Sequence, residues 1–281
     1  MPLTIDAHHH FWRTAAQEQP WRNSSHSALE RDFEAEELKS ELDTAGVDAT
    51  ILMQSVDEAA ENDRLSAYAQ NAFVAGVVAW LPLSDADSAR RELERINPYK
   101  VCGVRTLTAN DPLEWLSHEA VIAIFKEMAA RGLVWDVVPV TSAQVRAVLG
   151  LASAVPDLRI VVDHLGRPPL DTQGWQPWAG QTQQLASCPN IAMKVSVGID
   201  VLSKLDSWSG KDLIPYVEWA GEHFGPSRLM LASNWPVILL KTTYQQAWDD
   251  LLAAVGTVFT SGPEIDRVKG GTAEEWYSLG R

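Results

Sequence analysis

Three consecutive histidines, His8, His9 and His10, follow a short apolar run at 3–7 of a 281-residue chain. Side chains alternate along an extended strand, so His8 and His10 are predicted to share one side and His9 to face the other. Two imidazoles on one side can hold a metal ion or act as acid, base and electrophile. A second segment, 161–168, reads Val-Val-Asp-His-Leu-Gly-Arg-Pro, an apolar strand that ends at His164 and turns at a glycine. His164 is expected to face the same space as His8 and His10, with Asp163 turned away into structure. A third segment, 228–236, reads Arg-Leu-Met-Leu-Ala-Ser-Asn-Trp-Pro and closes its apolar run on Asn234 and Trp235. Each segment alone has a plain reading, a chance cluster or a structural histidine; their co-occurrence favours chemistry.

The elements that must position these residues follow from periodicity. Short apolar, β-rich runs occupy 3–7, 49–54, 74–80, 101–105, 133–138, 159–163, 190–195 and 228–232. Stretches with helical spacing lie at 34–45, 62–72, 86–96, 118–131, 142–154, 178–187, 211–224 and 244–255, and Gly46 and Gly132 stop two of them. The runs are apolar on both faces, as strands covered on both sides require. Eight strand-helix units predict one closed parallel (β/α)₈ TIM barrel spanning 1–281, an α/β fold. An open doubly wound sheet would call for a phosphate-binding glycine loop after an early strand, and the sequence has none. Catalytic groups of such barrels sit at the carboxyl ends of strands. Those ends carry the histidine run, Gln54, Trp80, Arg105, Asp136, His164, Lys194 and Asn234.

Composition narrows the partners. Net charge is −14, which argues against a nucleic-acid partner. No apolar run approaches the roughly 18 residues of a membrane span, and the first residues do not read as a signal peptide. Two distant cysteines, Cys102 and Cys188, are expected to be reduced thiols, which fits the cytoplasm. A homodimer is left open. Within so acidic a chain, Arg105 and Lys194 at the barrel mouth and Arg167 after His164 suggest an anionic or oxygen-rich substrate, with arginine clamping a carboxylate or oxyanion. The alternative is a salt bridge to an acid such as Asp136. Trp12, Trp80 and Trp235 are expected to cover the apolar face of a ring, with core packing the equal alternative for Trp80, and the long polar loop 13–32, with Gln19-Pro20-Trp21, to act as a lid.

The Asp-x-His-x-His start at 6–10, the Asp-His-Leu-Gly-Arg-Pro segment and the Ser-Asn-Trp-Pro-Val end resemble the amidohydrolase superfamily. More narrowly they resemble its branch of sugar-acid lactonases and 2-pyrone-4,6-dicarboxylate lactonase. Lesser matches run through Gln54, 103–105, 132–136, 193–196 and 270–273, so the resemblance covers essentially the whole chain. It implies a distorted (β/α)₈ barrel of metal-dependent-hydrolase type that opens a lactone by water attack on the carbonyl. It implies His8, His10, His164 and Asn234 as catalytic residues. Gln54, Trp80, Arg105, Asp136, Arg167, Lys194 and Trp235 are the expected substrate contacts. If a divalent metal is bound, usually zinc, His8, His10 and His164 are its expected ligands; in this branch it is often weakly held or dispensable. The family pattern usually has Asp where this chain has Asn234. Asparagine cannot take a proton from water, though its carbonyl can orient one. Either a histidine is the base, or a metal carries the activation, or the chain is an impaired binder. The expected substrate is a small anionic or polyhydroxylated lactone, such as fucono-, rhamnono- or galactonolactone in its 1,4 or 1,5 form. The alternative activity is decarboxylation of a small carboxylic acid.

Overall fold

The computed structural model describes residues 2–280. Eight parallel strands follow one another around a single barrel: β1 Ile5–His9, β2 Ala49–Met53, β3 Val74–Trp80, β4 Val101–Arg105, β5 Val134–Val137, β6 Ile160–Val162, β7 Ile191–Val195 and β8 Leu229–Leu231. The chain is thus a (β/α)₈ barrel. Helices such as Ala35–Ala45, Ser142–Ala154 and Tyr244–Val258 pack outside. Gly46 closes the first of these in left-handed backbone (φ +67°), and a Thr141–Gln144 capping box opens the second. Among the described residues no helix is long and apolar enough to cross a membrane.

The barrel is distorted at the seam between β8 and β1. Their closure falls beyond β8, where Asn234 N–H donates to the His8 carbonyl (2.9 Å) and His10 N–H to the Trp235 carbonyl (2.8 Å). Asp6, fully buried, fills this seam. Its carboxylate accepts from the Ser233 amide (2.9 Å) and hydroxyl (2.6 Å), the Tyr244 hydroxyl (3.1 Å) and the His8 amide (3.2 Å). The register of β1 against β2 shifts between Asp6 and His9. Such an irregularity lets neighbouring residues share a side: Ala7 packs inside the barrel and His8 faces the axis as well. His9 points outward, its Nε2 bonded to Thr50 Oγ1 (2.9 Å) and its ring against Phe11.

Inside the barrel, Ile5, Ile51, Val78, Val134, Val161 and Met230 form an apolar layer closed by Trp276 and Tyr277 near the C-terminus. Above it lies a polar layer. Lys194, fully buried, places Nζ 2.6 Å from Asp136 Oδ1 and 3.0 Å from Asp163 Oδ1. Tyr277 donates its hydroxyl to the same Asp136 oxygen (2.6 Å). Arg105 Nε stands 3.6 Å from Asp163 Oδ2, so two cations balance two carboxylates in formal charge. Lys194 therefore does not reach the barrel mouth, and Asp136 is its partner rather than a substrate contact. Both correct the expectation from strand ends: a buried charge is tolerable only when paired, and the barrel interior supplies the pair.

Two outcomes follow from this packing. Removing the ammonium by Lys194→Met strands Asp136 and Asp163 together, and should lower unfolding free energy by about 3–5 kcal/mol in urea melts; a loss below about 1 kcal/mol would show that the cluster is not held by that charge. Burial lowers the pKa of His9 from 6.5 to about 3. The unfolded chain takes up that proton below pH 6.5 and the folded chain does not, so this stability is complete above 6.5 and lost as pH falls. At pH 5 the term is about 2 kcal/mol. In His9→Gln the stability difference between pH 7 and pH 5 should shrink by about that amount; an unchanged difference would contradict it.

Candidate active site

A cavity of about 530 Å³ opens at the carboxyl ends of the strands. Its walls include His10, Gln54, Arg105, His164, Arg167 and Asn234. Each arrives there for a local reason. His164 and Leu165 take left-handed backbone (φ +57° and +50°) directly after β6, so the chain turns sharply. That turn puts both Asp163 and His164 toward the axis. The expectation that Asp163 faces away fails here, because strand alternation stops where the turn begins. Asn234 is also left-handed (φ +58°), a conformation that asparagine tolerates better than most residues.

The three histidines share one pattern. His8 Nδ1 lies 3.3 Å from Asp163 Oδ1, His10 Nδ1 bonds the Met53 carbonyl (3.0 Å), and His164 Nδ1 meets Ser196 Oγ (2.9 Å). Each ring is thus anchored on one nitrogen and offers the other. His8 Nε2 and His10 Nε2 stand 3.1 Å apart, and the His8 and His164 ring centroids 4.6 Å apart. Burial holds His8 and His10 well below the usual histidine range and lowers His164 to about 3, so all three are neutral at pH 7. His8 is completely buried and lies beneath the cavity rather than in its wall.

This donor set fits a divalent ion. Metal-binding histidines characteristically spend their second nitrogen on a carboxylate, carbonyl or hydroxyl, and three neutral imidazoles suffice to hold zinc. The grouping whose ligand atoms lie within 4.8 Å of one another is His8, Asp163 and His164; His10 joins it through its Nε2, 3.1 Å from His8 Nε2. Asp163 Oδ1 is shared between Lys194 and His8 and orients His8, while its Oδ2 has no hydrogen-bond partner among the described residues, so Asp163 is a candidate ligand beside His8 and His164. Asn234 donates Nδ2 to the Val197 carbonyl (2.8 Å), leaving its Oδ1 free to accept a hydrogen bond.

Arg105 is 7% exposed and lines the cavity, with Nη1 3.5 Å from His8 Nε2. Arg167 lines it too, paired to Asp200 at 2.9 Å. Burial lowers the Arg167 pKa, opposed by Asp200. Gln54 is fully buried at the wall, its Nε2 donated to Asp57 (2.6 Å) and its Oε1 without a partner among the described residues.

The tryptophans fall elsewhere. Trp235 is fully buried against Phe11 and Phe33, and Trp12 gives Nε1 to the Arg31 carbonyl (3.0 Å). Trp80 is half-buried outside the cavity wall, its backbone held by the Asn62 side chain. These rings pack the fold because aromatic area next to the barrel rim is worth more in the core than facing water. Trp21 replaces them at the cavity. Loop 13–32 is a docked wall: Gln17 Nε2 bonds Ser55 Oγ (2.9 Å) and Glu61 (2.7 Å), and Trp21 Nε1 the Ser55 carbonyl (2.8 Å). Sequence reasoning missed Asp163, Ser196, Asp57 and Asp200. Ser196 was accessible by alternation, two residues after the inward Lys194; Asp57 and Asp200 lie in loops without period.

The amidohydrolase family model matches residues 5–279. The L-fucono-1,5-lactonase of Burkholderia ambifaria is 31% identical across 100% of this chain and 97% of its own length. That of Burkholderia multivorans is 28% identical over 99% of this chain and 96% of its own. A crystal structure of an amidohydrolase from Burkholderia multivorans with bound zinc is 27% identical and superposes with a TM-score of 0.88, covering 99% of both chains. An amidohydrolase 2 from Bifidobacterium longum, 21% identical, shares the fold at a TM-score of 0.77 over 99% of this chain and 100% of that one. The chain belongs to the amidohydrolase family.

Proposed function

We propose that the protein hydrolyses the lactone of a sugar acid, an aldono-1,4- or 1,5-lactone such as the fucono, rhamnono or galactono form. The observation that carries this reading is that two neutral, anchored imidazoles, His10 and His164, line one cavity with Arg105 and Asn234, with His8 directly beneath. The lactonases of Burkholderia, similar over the whole chain, support it. The cavity, about 530 Å³, suits a small ring.

In this reading the lactone carbonyl lies against Arg105, whose guanidinium stabilises the oxyanion that forms as water attacks. Asn234 Oδ1 accepts a hydrogen bond from that water and orients it. His164, with Nδ1 anchored on Ser196, takes the proton on Nε2 and returns it to the departing ring oxygen. His10, anchored on the Met53 carbonyl, holds the adjacent wall. A divalent ion held by His8, His10 and His164 would supply positive charge that polarises the carbonyl and acidifies water. Were such an ion bound, His164 would serve as one of its ligands.

Asn234 favours one competing reading, a chain that binds lactones without turning them over. A panel of aldonolactones with a pH indicator separates the two, since ring opening releases acid. Activity is expected on at least one member, with metal content measured on protein purified without added metal. His164→Gln should lower kcat by roughly 10²–10⁴-fold, and Asn234→Ala by about tenfold. Asn234→Asp should gain little, because a carboxylate there would face the Val197 carbonyl that Asn234 now satisfies. A gain of more than about a hundredfold in Asn234→Asp would make the missing carboxylate the natural base and overturn the histidine assignment.

A further inference from the structure

We propose that the cavity is a charge filter: it admits an uncharged, hydroxyl-rich ring and disfavours carboxylates, including the carboxylate that ring opening produces, with Glu18 and Asp57 as the selecting residues. The inference rests on the lactonase reading above and specifies which lactones that site takes.

The argument starts from the cations. Both arginines of the cavity already have carboxylates: Arg167 pairs with Asp200 at 2.9 Å and Arg105 with Asp163 at 3.6 Å. Lys194 is sealed beneath them between Asp136 and Asp163. The acids that line the cavity differ in this respect, although Asp57 lies close enough to Arg105 to feel its charge. Glu58 pairs with Arg64, but Glu18 and Asp57 have no cation in contact among the described residues, and both line the cavity with exposed side chains. Asp57 is fixed in place by the Leu107 amide (3.0 Å), the Thr106 hydroxyl (3.1 Å) and Gln54 Nε2 (2.6 Å). Burial raises its carboxyl, and those donors oppose the rise.

An independent observation points the same way. Gln54 lies fully buried at this wall with Oε1 unpartnered among the described residues, and Asn234 turns its Nδ2 away to Val197. The acceptors that line the cavity are thus two carboxylates and the Asn234 amide oxygen, with the buried Gln54 oxygen behind them. A ring hydroxyl donates to such groups; a carboxylate has no proton to give and meets like charge. A donor-bearing ligand is therefore what these acceptors select. This departs from the anionic substrate that the cationic strand ends suggested.

The same polarity acts on the product. Opening the ring joins the water oxygen to the carbonyl carbon and breaks that carbon's bond to the ring oxygen. One water proton ends on the ring oxygen, now a hydroxyl. The new carboxylic acid, with an ordinary pKa near about 3.5, loses the other to solvent at neutral pH. A neutral ligand thus becomes an anion inside a wall that repels anions.

Calorimetry with two non-reacting probes tests this: the sodium aldonate, and the uncharged 1,5-anhydroalditol of the same configuration. In the wild-type chain the anhydroalditol should bind more tightly. Glu18→Gln and Asp57→Asn should each tighten aldonate binding by about fivefold at low salt, an effect that fades near about 0.5 M salt. Glu18→Lys, at an exposed position, should tighten the aldonate further. Tighter binding of the aldonate in the wild type, or aldonate affinity unmoved in all three variants, would overturn the filter. Lactone opening is followed in the same samples. A chain that prefers the anhydroalditol but opens no lactone retains the filter and loses the lactonase reading; one that opens lactones with aldonate affinity unmoved loses only the filter. Binding of neither probe would overturn the filter, and lactone opening alone would then decide the lactonase reading.

Discussion

The active end of this barrel depends on one buried charge. Lys194 stands between Asp136 and Asp163 with no solvent contact, and Asp163 in turn orients His8. In a low-dielectric interior an ammonium and two carboxylates persist only as a set. Arg105 completes the formal balance, and Tyr277 reaches up from the C-terminal segment to hold Asp136. The position of the histidines is therefore tied to residues from four strands and from the last turn of the chain. No short segment could hold them alone.

The seam between β8 and β1 does the rest. Only a few backbone hydrogen bonds join the two, and they involve the residues that matter: the His8 carbonyl, the His10 amide and the Asn234 amide. Asp6 stitches the gap through Ser233 and Tyr244. A barrel closed by regular strand pairing would leave no room for a bulge that sends Ala7 and His8 to the same side. The distortion thus lets Ala7 fill the barrel while His8 also faces the axis, where alternation brings His10 Nε2 within 3.1 Å of His8 Nε2.

Above this floor the cavity has two characters. Its cations carry partners from the protein, while part of its acids and amide oxygens do not. In the proposed reaction that asymmetry would serve both ends of the turnover: Arg105 would meet negative charge developing at the carbonyl, and the acids would disfavour the finished carboxylate.

Much of this was legible in the residues themselves. Eight apolar runs separated by helical spacing determine a parallel barrel, since each strand must be covered on both faces. The alternation of His8, His9 and His10 is a local property of extended chain, and His9 does face Thr50 and Phe11. The absence of an aspartate at Asn234 is likewise a fact of sequence. What only the tertiary structure decided are directions and partners. Asp163 turns inward because left-handed backbone at His164 interrupts the strand. Lys194 and Asp136 leave the list of substrate contacts because they neutralise one another in the core. Trp12, Trp80 and Trp235 pack the scaffold, and Trp21 comes to the cavity on a loop held by Ser55. Local alternation specifies which side a residue takes within one strand; whether that side meets solvent, a counter-charge or another ring depends on seven other strands, and no period in the sequence encodes it.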